Sequence, residues 1–452
     1  MFYGTRITFG IQSWQVVQTY DGAATVRIGG SWRLEEGAKR AGVVSVTPEY
    51  RLAREDDNSL VYDWTAADDI TDKTWEATVR LPRGGLYRLE TCLDAVSENT
   101  GEHWRFRGDI RTHLGAGDVF AMAGQSNSAG YSKGVALDPP DMMVHVLRNS
   151  GRWDMAAHPL NDATDAPDCL NAPMGQTGTS PFIAFGRLYS RFTGAPVGLI
   201  ACAQGGSSIS QWDAWRGGQL NRNMIRKIRR AGGAKAVFWY QGCADALEEG
   251  VNDYAFSFKR MVEETRKALD CGIPYYTFQL NRYDAPHDFD AWNRIRRIQL
   301  ELSHELDGVY LLPTTGLELG DEIHNSSRAN VALGEQLARF ICRGEAAPQA
   351  GEITLEDTRV TVRIRGLAGE LQKQCALRLG ECFRAEDERG IIDIMKVRSD
   401  AGSIYLELAR RAEGDVYVSY DMEEAPFHAA FRDSLTSLPV VPFYRVTADR
   451  RR

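Results

Sequence analysis

The feature that most constrains the fold is the alternation of apolar strand-like segments with helical ones between residues 118 and 342. Candidate strands cover 118–123, 143–147, 196–202, 235–240, 274–280 and 308–312. Candidate helices cover 183–192, 219–231, 252–270, 289–306 and 327–342. This alternation predicts an α/β domain whose parallel sheet is flanked by helices on both faces.

The first of these strands ends abruptly in a turn of small residues that contains Ser126. The stretch reads Asp118-Val-Phe-Ala-Met-Ala-Gly-Gln-Ser-Asn-Ser-Ala-Gly130. Open α/β folds bind their ligands at the carboxyl edge of the sheet, so a serine placed there is a candidate nucleophile. Small residues after a strand also occur in ordinary turns, and the serine alone therefore does not decide the function.

A second motif, Asp321-Glu-Ile-His324, follows the last strand and precedes the last helix of the alternating region. A histidine in such a loop, with a carboxylate three residues earlier, is suited to act as a base whose tautomer the carboxylate holds. Asp321 could instead cap the helix that begins nearby, because aspartate is favoured at that position. An α/β-hydrolase elbow would read G-x-S-x-G, whereas Gly124-Gln-Ser-Asn-Ser128 ends in serine.

The chain resembles the sialate O-acetylesterases, a branch of the SGNH carbohydrate esterases. Gly124-Gln-Ser-Asn127 resembles the first sequence block of that family, and the D-x-x-H pair resembles the last. Further similar segments occur in the expected order: Arg152-Trp153 with 158–160, 180–186, 196–207 with Trp212, 239–242 with Asp245, and Trp292 with Arg296 and Gln299. The resemblance covers roughly residues 118 to 342, about half of the chain.

The resemblance implies a role for each candidate catalytic residue. Ser126 would be the nucleophile, His324 the general base and acid, and Asp321 the group that orients His324. The oxyanion hole would consist of the Ser126 N–H, a glycine N–H from Gly205-Gly206 and the side-chain amide of Gln241. Taken without the resemblance, Gly205-Gly206 could equally be a strand-to-helix turn, and Gln241 could bind buried backbone groups.

Substrate binding is expected at five further positions: Gln125, Asn127, Trp212, Asp245 and Arg296. The family has glutamate where this chain has Cys243, and that glutamate would pair with the arginine at 296. Without it, Arg296 is unpaired, paired with Asp245 or another acid, or available to an anionic group of the substrate. Trp212, Trp215, Tyr240 and Trp292 are candidates for stacking on a sugar ring, although such residues usually fill the core.

Both flanks of the alternating region show the alternation and turns of β-strands, as in 24–28, 74–81, 86–91, 358–364, 403–408 and 415–420. We therefore predict three domains. They are a β-sandwich-like module over residues 1–115, an SGNH-hydrolase-like catalytic domain over 116–345 and a β-rich module over 346–452.

Composition excludes several classes of partner. A formal net charge of −8, with no basic run, argues against nucleic acid, and no apolar stretch is long enough to span a membrane.

The first residues lack a signal-peptide core, which predicts a cytoplasmic location unless a leader has been removed. The eight cysteines lack metal-ligand spacing, so we expect reduced thiols and no metal. A serine nucleophile with a histidine base needs no cofactor. Exposed strand edges of the β-rich modules would permit a homo-oligomer.

These inferences predict a serine esterase that removes acetyl groups from a mono- or oligosaccharide. The resemblance leaves two groups of sugars open, O-acetylated sialic acid and acetylated plant glycans such as xylan or xyloglucan. The first alternative is a catalytically inactive carbohydrate-binding protein, which the change to Cys243 favours. The second is an esterase for non-sugar acyl substrates on the same catalytic core.

Overall fold

A computed structural model of the protein describes residues 3–34, 36–37, 42–167, 170–171, 178–247, 250–374, 379–422 and 429–451. Cys169 and Cys375, two of the predicted reduced thiols, lie outside the described residues. Within the described ranges, no helix is both long enough and apolar enough to cross a membrane.

The strands and helices are numbered here in chain order. The strands are β1 (Gly4–Phe9), β2 (Val16–Gln18), β3 (Ala23–Arg33), β4 (Val43–Arg54), β5 (Leu60–Ala66), β6 (Asp69–Thr71), β7 (Thr74–Pro82), β8 (Gly84–Ser97), β9 (His103–Gly124), β10 (Val144–Leu147), β11 (Trp153–Met155), β12 (Val197–Ala201), β13 (Ala236–Tyr240), β14 (Tyr275–Phe278), β15 (Val309–Leu312), β16 (Gln349–Glu356), β17 (Arg359–Arg365), β18 (Leu371–Lys373), β19 (Phe383–Asp387), β20 (Gly390–Ile392), β21 (Ile394–Ser399), β22 (Ser403–Leu408), β23 (Val416–Tyr420), β24 (Phe431–Asp433) and β25 (Phe443–Arg450). The helices are α1 (Ser126–Ala129), α2 (Phe182–Thr193), α3 (Gln219–Ala231), α4 (Cys243–Leu247), α5 (Val251–Leu269), α6 (Phe289–Glu305) and α7 (Ser327–Arg343).

The central sheet has the strand order β11-β10-β12-β9-β13-β14-β15. The six strands β10, β12, β9, β13, β14 and β15 pair in parallel, each with the next. Strand β11 pairs antiparallel with β10 at the edge. All five residues of β12 and all five of β13 are buried, as expected for parallel strands covered on both faces. The structure confirms the predicted α/β fold class, the six predicted strands and the five predicted helices.

Two groups of helices cover opposite faces of this sheet. Phe238 in β13 packs against Phe182 and Phe185 of α2, while the next residue, Trp239, packs against Phe258 of α5. Successive side chains of a strand point to opposite faces, so α2 and α5 lie on opposite sides of the sheet. Helix α2 packs against α7, whereas α5 packs against α3 and α6.

The N-terminal region forms two β-sheets packed face to face, the sandwich that the sequence indicated. One sheet has the order β1-β3-β7-β6, and the other contains β5, β4, β8 and the first half of β9. Their shared core includes Ile28 and Trp75 from the first sheet and Leu52 and Leu89 from the second. Strand β9 then continues into the central sheet, so the domain border predicted between residues 115 and 116 falls inside one strand.

The C-terminal region forms a second β-rich layer after α7. Its main sheet has the order β20-β19-β23-β25-β16-β17-β22-β21, and β18 pairs with β24 separately. In β17 the valines at 360 and 362 are buried while Arg359 and Arg363 are exposed, which is the period-two pattern of a sheet with one covered face. The predicted β-rich C-terminal fold is therefore present.

Asp118 links the N-terminal sandwich to the central sheet. Its carboxylate accepts hydrogen bonds from Arg83 at 2.6 Å, the Tyr189 hydroxyl at 2.8 Å and Lys235 at 3.2 Å. Burial raises the pKa of Asp118, but the bonds from Arg83 and Tyr189 outweigh it and leave this pKa below its ordinary value. The ionised carboxylate thus joins a turn of the sandwich to α2.

We expect Asp118→Asn to lower the free energy of unfolding at neutral pH by about 2–3 kcal/mol. The substitution removes the buried negative charge and leaves its two cationic partners, Arg83 and Lys235, without it. A lowered pKa gives stability that is present above the unfolded value and lost as the pH falls through the folded value. The difference between variant and wild type should therefore shrink below about pH 4 in denaturant titrations.

The matched control for this prediction is Asp253→Asn. Asp253 pairs with Arg216 on the surface, where the Asp253 side chain is 52% exposed. Exposed pairs contribute less than about 1 kcal/mol, so this variant should resemble the wild type. Equal effects of the two substitutions would contradict the role assigned to Asp118.

Candidate active site

The candidate nucleophile lies in a one-turn helix directly after β9. Gly124 has φ +113°, and a Cβ at this position would lie 2.3 Å from the Tyr240 carbonyl oxygen. Because β9 and β13 are neighbours, only glycine allows the backbone to turn this close to Tyr240. The Gln125 N–H then donates to the same carbonyl at 2.9 Å, and Ser126 begins α1.

Ser126, His324 and Asp321 form one line of hydrogen-bonding contacts. The Ser126 Oγ lies 2.9 Å from His324 Nε2, and His324 Nδ1 lies 2.9 Å from Asp321 Oδ2. The histidine side chain is 17% exposed and the aspartate side chain 33% exposed. The fold thus brings Ser126 to a histidine and an aspartate that lie almost two hundred positions further along the chain.

Asp321 holds its own loop as well as the imidazole. Its Oδ1 accepts the backbone N–H groups of Ile323 at 3.0 Å and His324 at 2.8 Å. Burial raises the pKa of Asp321, but the hydrogen bonds from His324 and Ile323 outweigh it and leave the pKa below its ordinary value. The alternative reading as a helix cap is wrong, because Ser326 caps α7 by accepting the Ala329 N–H.

Asn127 joins the nucleophile turn to the histidine loop. Its side-chain amide donates to the Ile323 carbonyl and accepts the Asn325 N–H, both at 3.2 Å. Asn127 is buried, and its bond with the Asn325 N–H is buried too, so water competes little for this bond. We predicted that Asn127 binds substrate, but its contacts favour a role in positioning the loop on either side of His324.

Gln125 is likewise turned into the protein. Its Oε1 accepts the Gly242 N–H at 3.0 Å, and the residue is buried. The side chain therefore fixes the nucleophile turn against the segment that follows β13. This geometry favours positioning over the substrate contact that we predicted for Gln125.

Three backbone N–H groups are available near the serine. Within the described residues, no hydrogen bond engages the N–H of Ser126, Gly205 or Gly206. The Gln204 N–H donates to the Gly124 carbonyl at 2.9 Å, which places the Gly205-Gly206 turn beside the end of β9. A Cβ at Gly205 would lie 2.7 Å from the Tyr131 hydroxyl, so glycine permits this close approach.

Gln241 is not placed as the oxyanion donor that we predicted. Its amide nitrogen donates to the Ser207 carbonyl at 3.0 Å and also to the Asp245 carboxylate. A side-chain amide has two N–H groups, so these bonds use both. Gln241 instead matches the alternative reading, in which it binds a buried backbone group.

Asp245 and Trp212 are buried residues that bind the loop after Gly206. The Asp245 carboxylate accepts the Ile209 N–H at 3.0 Å, and the Trp212 indole donates to Ser207 Oγ at 3.1 Å. Trp212 is fully buried and packs edge-on against Trp239. We expected both residues to contact substrate, and this is corrected. Because both side chains are buried and hydrogen-bonded to the loop after Gly206, they hold this loop in place.

Arg296 is buried between α6 and the C-terminal β-rich region. Its guanidinium donates to the Asp421 carbonyl at 3.0 Å and to Asn293 Oδ1 at 3.1 Å. The predicted role in substrate binding is thus corrected, because the side chain is turned towards the C-terminal layer. Cys243 begins α4 and is buried, as expected of a small apolar residue.

Two residues near the histidine were not singled out from the sequence. Asn325 is fully buried, and its side chain accepts from Asn281 at 2.9 Å and donates to Asn330 at 3.1 Å. The ring of Tyr131 lies 5.7 Å from the imidazole of His324. The position of Asn325 directly after the D-x-x-H pair was the available signal, whereas Tyr131 had none.

The stacking candidates divide by exposure. Tyr240 and Trp292 are buried, and the Trp292 indole donates to the Asn281 carbonyl at 2.8 Å. Trp215 is 79% exposed and lies over the Arg260 guanidinium. Tyr240 and Trp292 therefore contribute to the core, as the more common reading of such residues expects.

Comparisons with known proteins identify the family of this chain. A family model described as carbohydrate esterase, sialic acid-specific acetylesterase, matches residues 116–343. A probable carbohydrate esterase of Arabidopsis thaliana is 29% identical over 257 residues, which are 51% of this chain and 92% of that protein. The crystal structure of a carbohydrate acetylesterase from Xanthomonas citri is similar in fold, with a TM-score of 0.64, 20% identity and coverage of 96% of this chain and 97% of that one.

We expect Asn127→Ala to lower the free energy of unfolding by about 2–3 kcal/mol, because one buried and one partly buried backbone group lose their partner. Denaturant titration measures this change. Ser128→Ala is the matched control, since the Ser128 Oγ is buried with no hydrogen-bond partner in the described structure. A loss at Ser128 as large as the loss at Asn127 would contradict the bridging role.

Proposed function

The chain belongs to the sialic acid-specific acetylesterase family of carbohydrate esterases, and we propose that it hydrolyses acetyl esters on sugars through Ser126, His324 and Asp321. The observation that carries this proposal is the unbroken line of contacts from the serine hydroxyl through the imidazole to the carboxylate. A nucleophile, its base and an orienting acid are the components that acyl transfer requires.

In the first half of the proposed reaction, Ser126 Oγ attacks the acetyl carbonyl while His324 Nε2 takes the proton of the serine hydroxyl. The tetrahedral intermediate collapses with cleavage of the bond to the sugar oxygen, which receives the proton from His324. This leaves an acetyl group on Ser126. In the second half, water attacks this ester, His324 again relays the proton, and acetate leaves the regenerated serine.

The carbonyl oxygen becomes negatively charged in both tetrahedral intermediates. We propose that the N–H groups of Ser126 and the Gly205-Gly206 turn bind it, since none of them is engaged within the described residues. Gln241 would act one step further out, because its bond to the Ser207 carbonyl fixes the chain directly after Gly206. Fixed donors of this kind lower the barrier by about 2.7–4 kcal/mol each.

Asp321 would stay ionised while the imidazole accepts its proton. Burial raises the pKa of Asp321, but the hydrogen bonds from His324 and from the backbone N–H groups lower it more, so the carboxylate is stabilised. An ionised carboxylate next to Nδ1 keeps a proton on that nitrogen and leaves Nε2 free to accept from Ser126. The charge of Asp321 also stabilises the imidazolium that forms.

Two sugar classes are proposed as substrates, O-acetylated sialic acid and acetylated plant glycans. The family description supports the first, and the relationship to a plant protein called a probable carbohydrate esterase is compatible with the second. The contacts that join Ser126, His324 and Asp321 argue against an inactive binding protein, which would not need them.

Ser126→Ala is expected to abolish acetate release, because no oxygen remains to form the acetyl-enzyme. The assay measures acetate from O-acetylated sialic acid, acetylated xylo- and xyloglucan oligosaccharides and an aryl acetate. Ser128→Ala, two residues along the same turn, should keep near wild-type rates. Unchanged release by Ser126→Ala would reject the proposed nucleophile, and a preference for longer acyl esters would favour the non-sugar alternative.

Asp321→Asn should lower kcat by about a hundredfold or more, because the amide favours the wrong tautomer of His324 and cannot stabilise the imidazolium. The measurement is the pH profile of kcat on the aryl acetate. Glu322→Gln is the control, since that neighbouring side chain is exposed. Equal rates for Asp321→Asn and Glu322→Gln would contradict the orienting role.

A further inference from the structure

A tryptophan lies on the outer face of the N-terminal sandwich, whereas Ser126 lies at the edge of the central sheet. Trp64 belongs to β5, an edge strand that pairs with β4. The guanidinium of Arg51 lies 4.6 Å from the centre of its ring, and that of Arg105 lies 5.8 Å away. Two cation–π contacts therefore hold the indole in a fixed orientation on the sheet.

The ring borders a cavity of about 420 Å³ that opens on this face. Arg51, Glu90, Arg105 and Arg107 line it together with Trp64. Its lining thus combines an aromatic surface with several hydrogen-bond donors. A large apolar ring beside a few well-placed polar groups is the usual composition of a site for a polar organic ligand.

The charges in the cavity are not balanced. Glu90 pairs with Arg51 at 2.6 Å and with Arg88 at 2.5 Å, and Arg105 pairs with Glu49 at 3.3 Å. Burial raises the pKa of Glu90, but these arginines outweigh it and keep the pKa below its ordinary value. Among the described residues, Arg107 has no ion pair and no side-chain hydrogen bond, so one exposed cation faces the cavity without a counter-charge.

We propose that this cavity is a second carbohydrate site, which binds a carboxylated sugar unit of a polysaccharide. The apolar face of a pyranose ring would stack on the part of the Trp64 ring that the two guanidinium groups leave open, and the carboxylate would pair with Arg107. Arginine and carboxylate form paired, charge-assisted hydrogen bonds, which a neutral sugar cannot match. Arg51 and Arg105 would keep the indole ring in place, so little ordering is needed on binding.

The distance to the candidate nucleophile defines what the site can do. Arg107 lies near the start of β9, and Ser126 follows its end at Gly124. A strand rises about 3.3 Å per residue, so the two sites are separated by up to about 55 Å along β9. The cavity lies on the N-terminal sandwich and Ser126 at the edge of the central sheet, so one sugar unit does not occupy both sites. The cavity would instead retain a distant part of the polymer and raise the local concentration of its acetyl groups at the catalytic serine.

Binding at this cavity is separable from the chemistry proposed for Ser126. The experiment therefore uses the full-length Ser126→Ala protein, which should leave the polymers intact. Affinity electrophoresis or calorimetry compares three polymers: acetylated glucuronoxylan and O-acetylated polysialic acid, which carry carboxylates from different sugars, and acetylated xyloglucan, which is neutral. Stronger binding of either carboxylated polymer identifies the sugar source.

Trp64→Ala should weaken binding of the carboxylated polymer about tenfold, the loss expected from one stacking contact. Arg107→Gln should weaken it similarly, while changing the binding of xyloglucan less than about twofold. Arg107 is exposed and without an ion pair, so this variant remains informative if Trp64→Ala does not fold. Tyr405→Ala is the control, because Tyr405 lines a different arginine-containing cavity of about 320 Å³ on the C-terminal sheet.

The same substitutions in the protein with Ser126 intact separate this inference from the proposed function. Trp64→Ala should raise KM for the carboxylated polymer and leave hydrolysis of an aryl acetate unchanged. Loss of aryl acetate hydrolysis by Ser126→Ala tests the chemistry independently. Unchanged polymer binding by both Trp64→Ala and Arg107→Gln, or no binding of any polymer by Ser126→Ala, would overturn the second site.

Discussion

The backbone of Gly124 passes so close to β13 that a side chain there would collide with the Tyr240 carbonyl oxygen. This contact ends β9 and starts the turn of Ser126, and the Gln125 N–H then binds the same carbonyl. The position of the serine is thus set by two buried neighbouring strands, and not by a flexible loop. A nucleophile held in this way needs little reorganisation when a substrate arrives.

Side-chain amides and carboxylates fix the other segments of the site by hydrogen bonds. Asn127 binds the histidine loop to the nucleophile turn, and Gln241 and Asp245 bind the segment after Gly206. Each bond satisfies a buried polar group that would otherwise be costly, so stability and placement come from the same contacts. The proposed chemistry at His324 depends on groups that need not touch the substrate.

The sequence predicted the strands and helices of the central sheet because apolar runs and helical spacing are local signals. It could not predict that β9 runs on from the sandwich into the central sheet, since strand continuity depends on pairing between distant segments. The same limit explains the errors at Gln241, Trp212 and Arg296. A family motif identifies a residue near a site, but whether its side chain faces the cavity or the core depends on tertiary contacts that no local pattern encodes.

The central claim, that Ser126 carries the acetyl group between the two halves of the reaction, can be tested by acid-quenching the protein during turnover of an aryl acetate and mapping its peptides by mass spectrometry. We predict acetylation of the peptide that contains Ser126, and only background acetylation when the aryl acetate is omitted. Turnover with no label on this peptide, or with the label on another side chain that substitution shows to be essential, would contradict the account.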